Sequence, residues 1–328
     1  MKIFFNKAVK NNIGKFVIHR IFEILSWKNC GDRFSGSRSI IIDLPQKICH
    51  CGRIINAVKI KGAGYINDKN IFSAPILKSY QQLINSRQIS IEFDKFGDIK
   101  IAPVENHPTG GLFFSNAKRE YYNTLKLFKK KIDVNIPIGY GCFDDLFFNN
   151  QKLGFVLLGI DDKYDIRVRQ KIENYLETNK KKQKTIKVKY ICSLIRKAGQ
   201  LLKKFHNSGY VKTLFQLTNI SINNNYNSIH DLDRIIPVSK LNKTERLCYR
   251  FFDYYTLACS VAKIAYSEQF INNRMEILNN ITTGYFNDDS LSEKINASDH
   301  LTLNFLFKNG GNIYDLKTPI LELLKERE

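Results

Sequence analysis

Lys61, with Gly62-Ala-Gly64 directly after it, then Glu120 in a helix-like stretch, then Asn219 and Asp231, supply four groups in one order along the chain. They are a cation, a carboxylate that can hold the cation in place, and two oxygen ligands. Group transfer from a nucleoside triphosphate needs this set. A lysine on a strand neutralises phosphate oxygens, a carboxylate on a neighbouring helix fixes the lysine, and hard oxygen donors hold Mg²⁺ or Mn²⁺. The order is that of a kinase-type nucleotide site. Taken singly the residues have plainer uses, because Asn219 suits a turn and Asp231 a helix cap.

The elements that must position these groups are legible in the apolar pattern. Ile40-Ile41-Ile42 and Ile54 to Ile60 are β-branched runs separated by turn formers, which predicts strands and puts Lys61 at the end of one. Ile89 to Phe93 and Ile99 to Ala102 flank a turn containing Gly97 and predict a hairpin, while Tyr80 to Ile84 has helical spacing. From Asn116 to Lys131 the stripe Tyr121, Leu125, Phe128 predicts a helix that carries Glu120. Phe155 to Gly159 reads as a buried strand. Ile191 to His206 and Leu247 to Ile264 are amphipathic helices, as is the stretch containing Val17, Ile18, Ile21 and Leu25. The Asn-rich stretch between Asn219 and Asp231 allows a hairpin that brings the two together.

Composition narrows the classes. A chain of 328 residues with 43% hydrophobic content can bury two lobes. Fifty-one basic against 31 acidic residues give +20, a balance that favours anionic partners. Lys, Asn and Ile abound together, a pattern that AT-rich coding produces whatever the function, so nucleic acid is disfavoured as a partner. The run Lys180-Lys181-Lys182 with Lys184 fits a solvated face or a substrate-docking patch. Seven scattered cysteines point to a reducing, cytoplasmic setting. Cys49-His50-Cys51 lacks the second spaced pair that a tetrahedral zinc site needs and reads as a strand edge. Residues 1–27 hold no apolar run long enough for a signal core or a membrane span.

Four short motifs occur in the order found in the selenoprotein O (YdiU-type) family. They are Cys30-Gly-Asp-Arg33, Ala57-Val-Lys-Ile-Lys-Gly-Ala-Gly64, Gly110-Gly111 with Ala117-Lys-Arg-Glu-Tyr121, and Thr218-Asn-Ile-Ser-Ile222. Residues 30–270 resemble a short, divergent relative of that family. The resemblance implies an α+β, bilobal protein kinase-like fold, with a β-rich N-lobe and a helical C-lobe. Its expected divisions are an N-terminal helical extension over 1–30, an N-lobe over 31–158 with an insertion near 65–110, and a C-lobe over 159–328. It implies ATP and Mg²⁺ or Mn²⁺ as cofactors, a protein substrate, and transfer of AMP to Ser, Thr or Tyr hydroxyls. Lys61 would bind phosphate and pair with Glu120, and Asn219 and Asp231 would hold the metal. Gly31, Asp32 and Arg33 would lie in a loop over the nucleotide, with Arg167 on phosphate.

The chain departs from that family where an acid should precede the metal-binding asparagine, because Thr218 stands there and cannot ionise. Asp233 and His206 are the possible replacements as base. The glycine-rich stretch before Gly31-Asp32 and the family's C-terminal redox cysteine are missing. A kinase moving the γ-phosphate uses the same four points, and Thr218 favours a third reading, a pseudoenzyme that binds partners through a basic face.

Overall fold

The computed structural model describes residues 1–25, 33–35, 39–62, 65–66, 71–72, 90–95, 99–102, 111–148, 150–161, 166–223 and 227–286. In chain order the elements are β1 (Lys2–Phe5), α1 (Lys7–Leu25), β2 (Arg33–Ser35), β3 (Ser39–His50) and β4 (Arg53–Lys61). Short strands follow: β5 (Tyr65–Ile66), β6 (Ile71–Phe72), β7 (Ser90–Phe93), β8 (Ile99–Ala102) and β9 (Leu112–Phe113). Then come α2 (Phe114–Lys129), β10 (Ile136–Phe148), β11 (Gln151–Ile160), α3 (Val168–Thr178) and α4 (Lys184–Asn207). The chain continues through β12 (Tyr210–Val211), β13 (Ile220–Ile222), β14 (Asn227–Ile229), β15 (Ile236–Pro237), α5 (Lys243–Ala265) and α6 (Arg274–Phe286). The predicted helix around Tyr80 lies outside the described residues, as does most of the stretch expected as an insertion.

Two compact units result. The described residues within 1–90, 103–166 and 223–233 form the first, and those within 91–102, 167–222 and 234–286 the second. The first is built on an antiparallel sheet in the order β1-β10-β11-β4-β3-β2, with β9 also pairing with β11. Successive strand residues point to opposite faces, and β11 uses both. Phe155 and Leu157 pack with α1 residues such as Val17 and Ile21, whereas Val156 and Leu158 pack with Ala117 and Tyr121 of α2. A strand covered on both faces has no polar face to show, which is why residues 155–158 read as one apolar run.

The second unit is helical. Along α4, Val188, Ile191, Leu194, Ile195, Ala198, Leu201, Leu202 and Phe205 recur at the three- and four-residue spacing of one helix face and are buried. Gly199 and Gly284 let α4 and α6 approach with backbone against backbone; a Cβ on Gly199 would sit 2.5 Å from the Ile281 carbonyl. α5 begins in a capping box, with Asn242 accepting from the Glu245 backbone N–H and Glu245 accepting in return. The β7–β8 pair belongs here through Phe93, whose ring meets Tyr249 edge-on in a cluster with Val211, Cys248 and Phe252. A β-rich first unit and a helical second unit make the α+β class that the resemblance implies.

Candidate functional site

β4 runs between β3 and β11, and its register fixes where Lys61 points. Lys61 lies opposite Ser39 on one side and Val156 on the other. Residues directly opposite in a ladder share a face, and Val156 is on the α2 face, so Lys61 projects toward α2. There Glu120 sits among the buried positions Asn116, Ala117, Tyr121, Thr124 and Leu127. A carboxylate 3% exposed needs a partner, because burying it alone is costly. The chain can turn away after Lys61 because Gly62 has φ +91°, and a Cβ there would lie 2.8 Å from both the Gly154 carbonyl oxygen and the Leu112 Cβ.

Lys61 Nζ donates to Glu120 Oε1 at 3.0 Å, to Glu120 Oε2 at 2.8 Å and to Asp231 Oδ1 at 2.6 Å. Three contacts use all three protons of an ammonium. Asp231 reaches it because its segment is stitched to the same unit. Ile229 donates its N–H to the Asp133 carbonyl and forms a parallel bridge with Val134. Ser228 Oγ donates to Asn135 Oδ1 at 2.6 Å, the Asn135 amide lies 3.3 Å from His230 Nδ1, and Asn123 Nδ2 of α2 donates to the Leu232 carbonyl at 2.8 Å. Asp231 has φ 54°, in the left-handed region that non-glycine residues enter rarely. Its side chain is 40% exposed, so the cluster is anchored in the core and open at one end.

Burial would by itself lower the Lys61 pKa, but the Asp231, Glu120 and Asp233 carboxylates outweigh it and hold the ammonium above the ordinary lysine range. Lys61 is therefore a fixed cation. Burial raises the Glu120 pKa, Lys61 opposes that, and Asp233 and Asp231 add to it. One ammonium thus faces three carboxyl groups.

No protein-family model and no curated protein matches the chain. A solved structure does. It is described as "WaaP in complex with acyl carrier protein", at 10% identity and a TM-score of 0.41, covering 99% of this chain and 98% of that chain. A likeness that distant in outline leaves the site to be read from its own geometry, and the selenoprotein O resemblance stands on the quoted residues alone.

Lys61, Glu120 and Asp231 are brought into contact. Arg167 and Asn219 fall in the second unit. Arg167 precedes the first residue of α3 and donates from one terminal nitrogen to Ser221 Oγ at 3.2 Å. Asn219 ends a 3₁₀ turn over Leu217–Asn219, its N–H bonded to the Gln216 carbonyl at 2.8 Å, and Thr218 beside it is exposed. Gly31 and Asp32 lie outside the described residues; Arg33 opens β2. His206 is not available as a base. It is 1% exposed, with Nδ1 at 2.6 Å from the Tyr285 hydroxyl and Nε2 at 3.2 Å from Asp253 Oδ2. At Cys49-His50-Cys51 both thiols are exposed and the His50 ring stacks on Phe128, centroids 5.8 Å apart. Sequence reading missed Asn123, although it lies three residues after Glu120 and so shares its helix face.

Proposed function

We propose that this chain is an ATP-dependent transferase that moves AMP to a protein hydroxyl, with Lys61, Glu120, Asp231 and Asn219 as its nucleotide and metal site. The observation that carries the reading is one buried-end lysine shared between a helix carboxylate and the exposed carboxylate of Asp231. AMP rather than phosphate as the transferred group rests on the selenoprotein O resemblance.

Each residue has a task that its position supports. Glu120 holds Lys61 from below, so the Lys61–Asp231 bond is the one exchanged when phosphate oxygens arrive. Asp231 would then turn to a cation; Asn219, in the second unit, is carried as the other oxygen ligand by the resemblance alone. This all-oxygen set fits Mg²⁺ or Mn²⁺, which when bound would neutralise the oxygens of the transferred and leaving groups. Among the described residues no three His, Cys, Asp or Glu side chains gather as a metal site. That is compatible with Mg²⁺, which is commonly held by one or two protein carboxylates plus substrate phosphates. In the reaction the substrate oxygen bonds to the α-phosphorus, the bond to pyrophosphate breaks, and the hydroxyl proton needs an acceptor. Asp233, half-exposed and near enough to act on the charges of Lys61 and Glu120, takes that role in place of the acid that Thr218 replaces.

Incubation with Mg²⁺ or Mn²⁺ and, in parallel, α-labelled and γ-labelled ATP tests this. Label from the α position on the protein or on an added acceptor protein, lost in Lys61→Ala, is the expected result. Label from the γ position alone makes the protein a kinase. ATP binding with neither label supports the second reading, a pseudoenzyme, which the exposed Thr218 favours.

A further inference from the structure

Between Thr178 and His230 the chain holds ten lysines and one arginine and no aspartate or glutamate. At the acid density of the remaining chain about six acidic residues would fall in such a stretch, and AT-rich coding, which acts on the whole chain alike, does not explain the local gap. The structure gathers these charges. Lys180, Lys181, Lys182, Lys184, Lys187 and Lys189 crowd the turn before α4 and its first turns, with Lys187 Nζ donating to the Lys180 carbonyl at 2.9 Å. Arg196 and Lys197 continue the exposed side of the helix. Among the described residues the ion pair near this run, Arg169–Glu173, lies on α3.

The arrangement works against the fold. The positive end of a helix dipole favours acids, yet the first turn of α4 has none, and Gln183 before it makes no side-chain cap. Like charges three or four residues apart on a helix repel. A run of like charge set against the helix dipole and against itself points to an anionic partner.

We infer that the turn before α4 and the outer face of α4 form a docking surface for an anionic lipid bilayer. Three observations favour a bilayer over nucleic acid or an acidic protein. The charges are almost all lysine, compact and strongly hydrated, suited to a diffuse negative surface rather than to the forked recognition of a phosphate or base edge that arginine gives. In their midst Ile186 is 45% exposed, an apolar side chain that phosphate recognition does not use and that the headgroup boundary accepts. Beside it Tyr175 and Tyr190 stack at 3.8 Å, with the Lys182 ammonium 5.4 Å from the Tyr175 ring centre. Tyrosine next to lysine is the usual composition of a membrane-interface anchor. Among the described residues no helix is long and apolar enough to cross a membrane, so the contact would be peripheral. The inference does not depend on the transferase reading.

The test uses the full chain and extruded phosphatidylcholine vesicles, with or without about one-third phosphatidylglycerol, in sedimentation at salt from about 50 to 500 mM. The wild type should bind only the anionic vesicles and release as salt rises. Lys180→Glu/Lys182→Glu/Lys184→Glu should lower the partition coefficient roughly 100-fold, at about fivefold or more per lysine. Lys7→Glu/Lys10→Glu/Lys15→Glu on α1, an equal change of net charge at exposed positions, should leave it within about twofold. Acid at the start of α4 should not lower Tm, so loss of binding is separable from loss of fold. Absence of anionic-vesicle binding by the folded wild type, equal loss in both triple variants, or tighter capture of a DNA duplex or a polyglutamate peptide than of vesicles at the same salt would each overturn the inference.

Discussion

The polar cluster around His206 in the second unit and the one around Lys61 in the first differ in what they leave exposed. In the second unit His206 is wedged between Tyr285 and Asp253, and Asp253 Oδ2 also accepts the Lys212 backbone N–H at 2.6 Å. Asp253 is 0% exposed. Its carboxylate sits within α5 and holds the start of the chain after β12, so its work is structural. In the first unit Lys61 bonds to Glu120 and Asp231, and Asp231 opens to solvent. A closed cluster sets a backbone path, whereas a cluster open at one end leaves a charged group that solvent or a solute can reach.

The largest effect should therefore come from the closed cluster. Asp253→Ala leaves the buried Lys212 N–H and the His206 ring without their acceptor, and a buried donor stripped of its partner costs its desolvation. We expect a loss of about 3 kcal/mol in the unfolding free energy of the second unit, read by denaturant titration or amide exchange. A change under about 1 kcal/mol would mean that this cluster is no anchor.

Asp231→Asn should behave oppositely. Asparagine tolerates the positive φ of that position, and the exchange removes one of the three carboxylates that act on Lys61. The stability change should stay below about 1 kcal/mol, since a side chain this exposed is screened. Binding of ATP with Mg²⁺, measured by calorimetry, should weaken roughly 100-fold, the loss expected for one charged contact. If this variant unfolds as Asp253→Ala does, the difference between the two clusters disappears.

Titration sharpens the same contrast. Burial depresses the His206 pKa, with Asp253 opposing and Arg250 adding to the shift. The unfolded chain then binds a proton that the folded chain resists, so the second unit should lose stability as pH falls below about 6.5, by at most about 1.4 kcal/mol per pH unit for one proton. The raised pKa of Lys61 works the other way. Its contribution is complete below the ordinary lysine value of about 10.5 and is lost only as pH rises through the higher folded value, so the first unit should keep it across the neutral range. Amide exchange at pH 5 and pH 8, read separately on α5 and on β4, distinguishes the two; parallel loss on both elements on acidification would contradict the assignment.

What the sequence made legible follows the same division between local and long-range causes. The β-branched runs of β3 and β4 and the stripes of α2, α4 and α5 declare themselves because period and burial agree. Lys61 and Glu120 could be paired in advance because a strand end and a helix face each restrict direction. β10 was not legible. Pro137 and the Gly139-Tyr140-Gly141 sequence weaken its strand pattern, and it is a strand because β1 and β11 pair with it on both sides, through register shifts at Pro137/Gly139 and Cys142/Phe147. The 170-residue separation of Lys61 and Asp231 was also closed to local reading, since the contacts that bring them together run through Asp133, Asn135 and Asn123, none of which has a motif.

The smallest predicted effect concerns a part of the chain where local rules are broken without a structural gain. Lys184 occupies the first position of α4, where a positive charge meets the positive end of the helix. Lys184→Glu should raise the stability of the second unit by about 0.3 to 1 kcal/mol, the usual worth of an acid at that end. A shift of that size is small but resolvable in paired thermal scans at low salt, and it should shrink as salt is added. A drop in stability would mean that Lys184 has a folded-state contact that justifies it, and the lysine run would need no partner. A rise would mean that the native residue is kept at a cost to the fold.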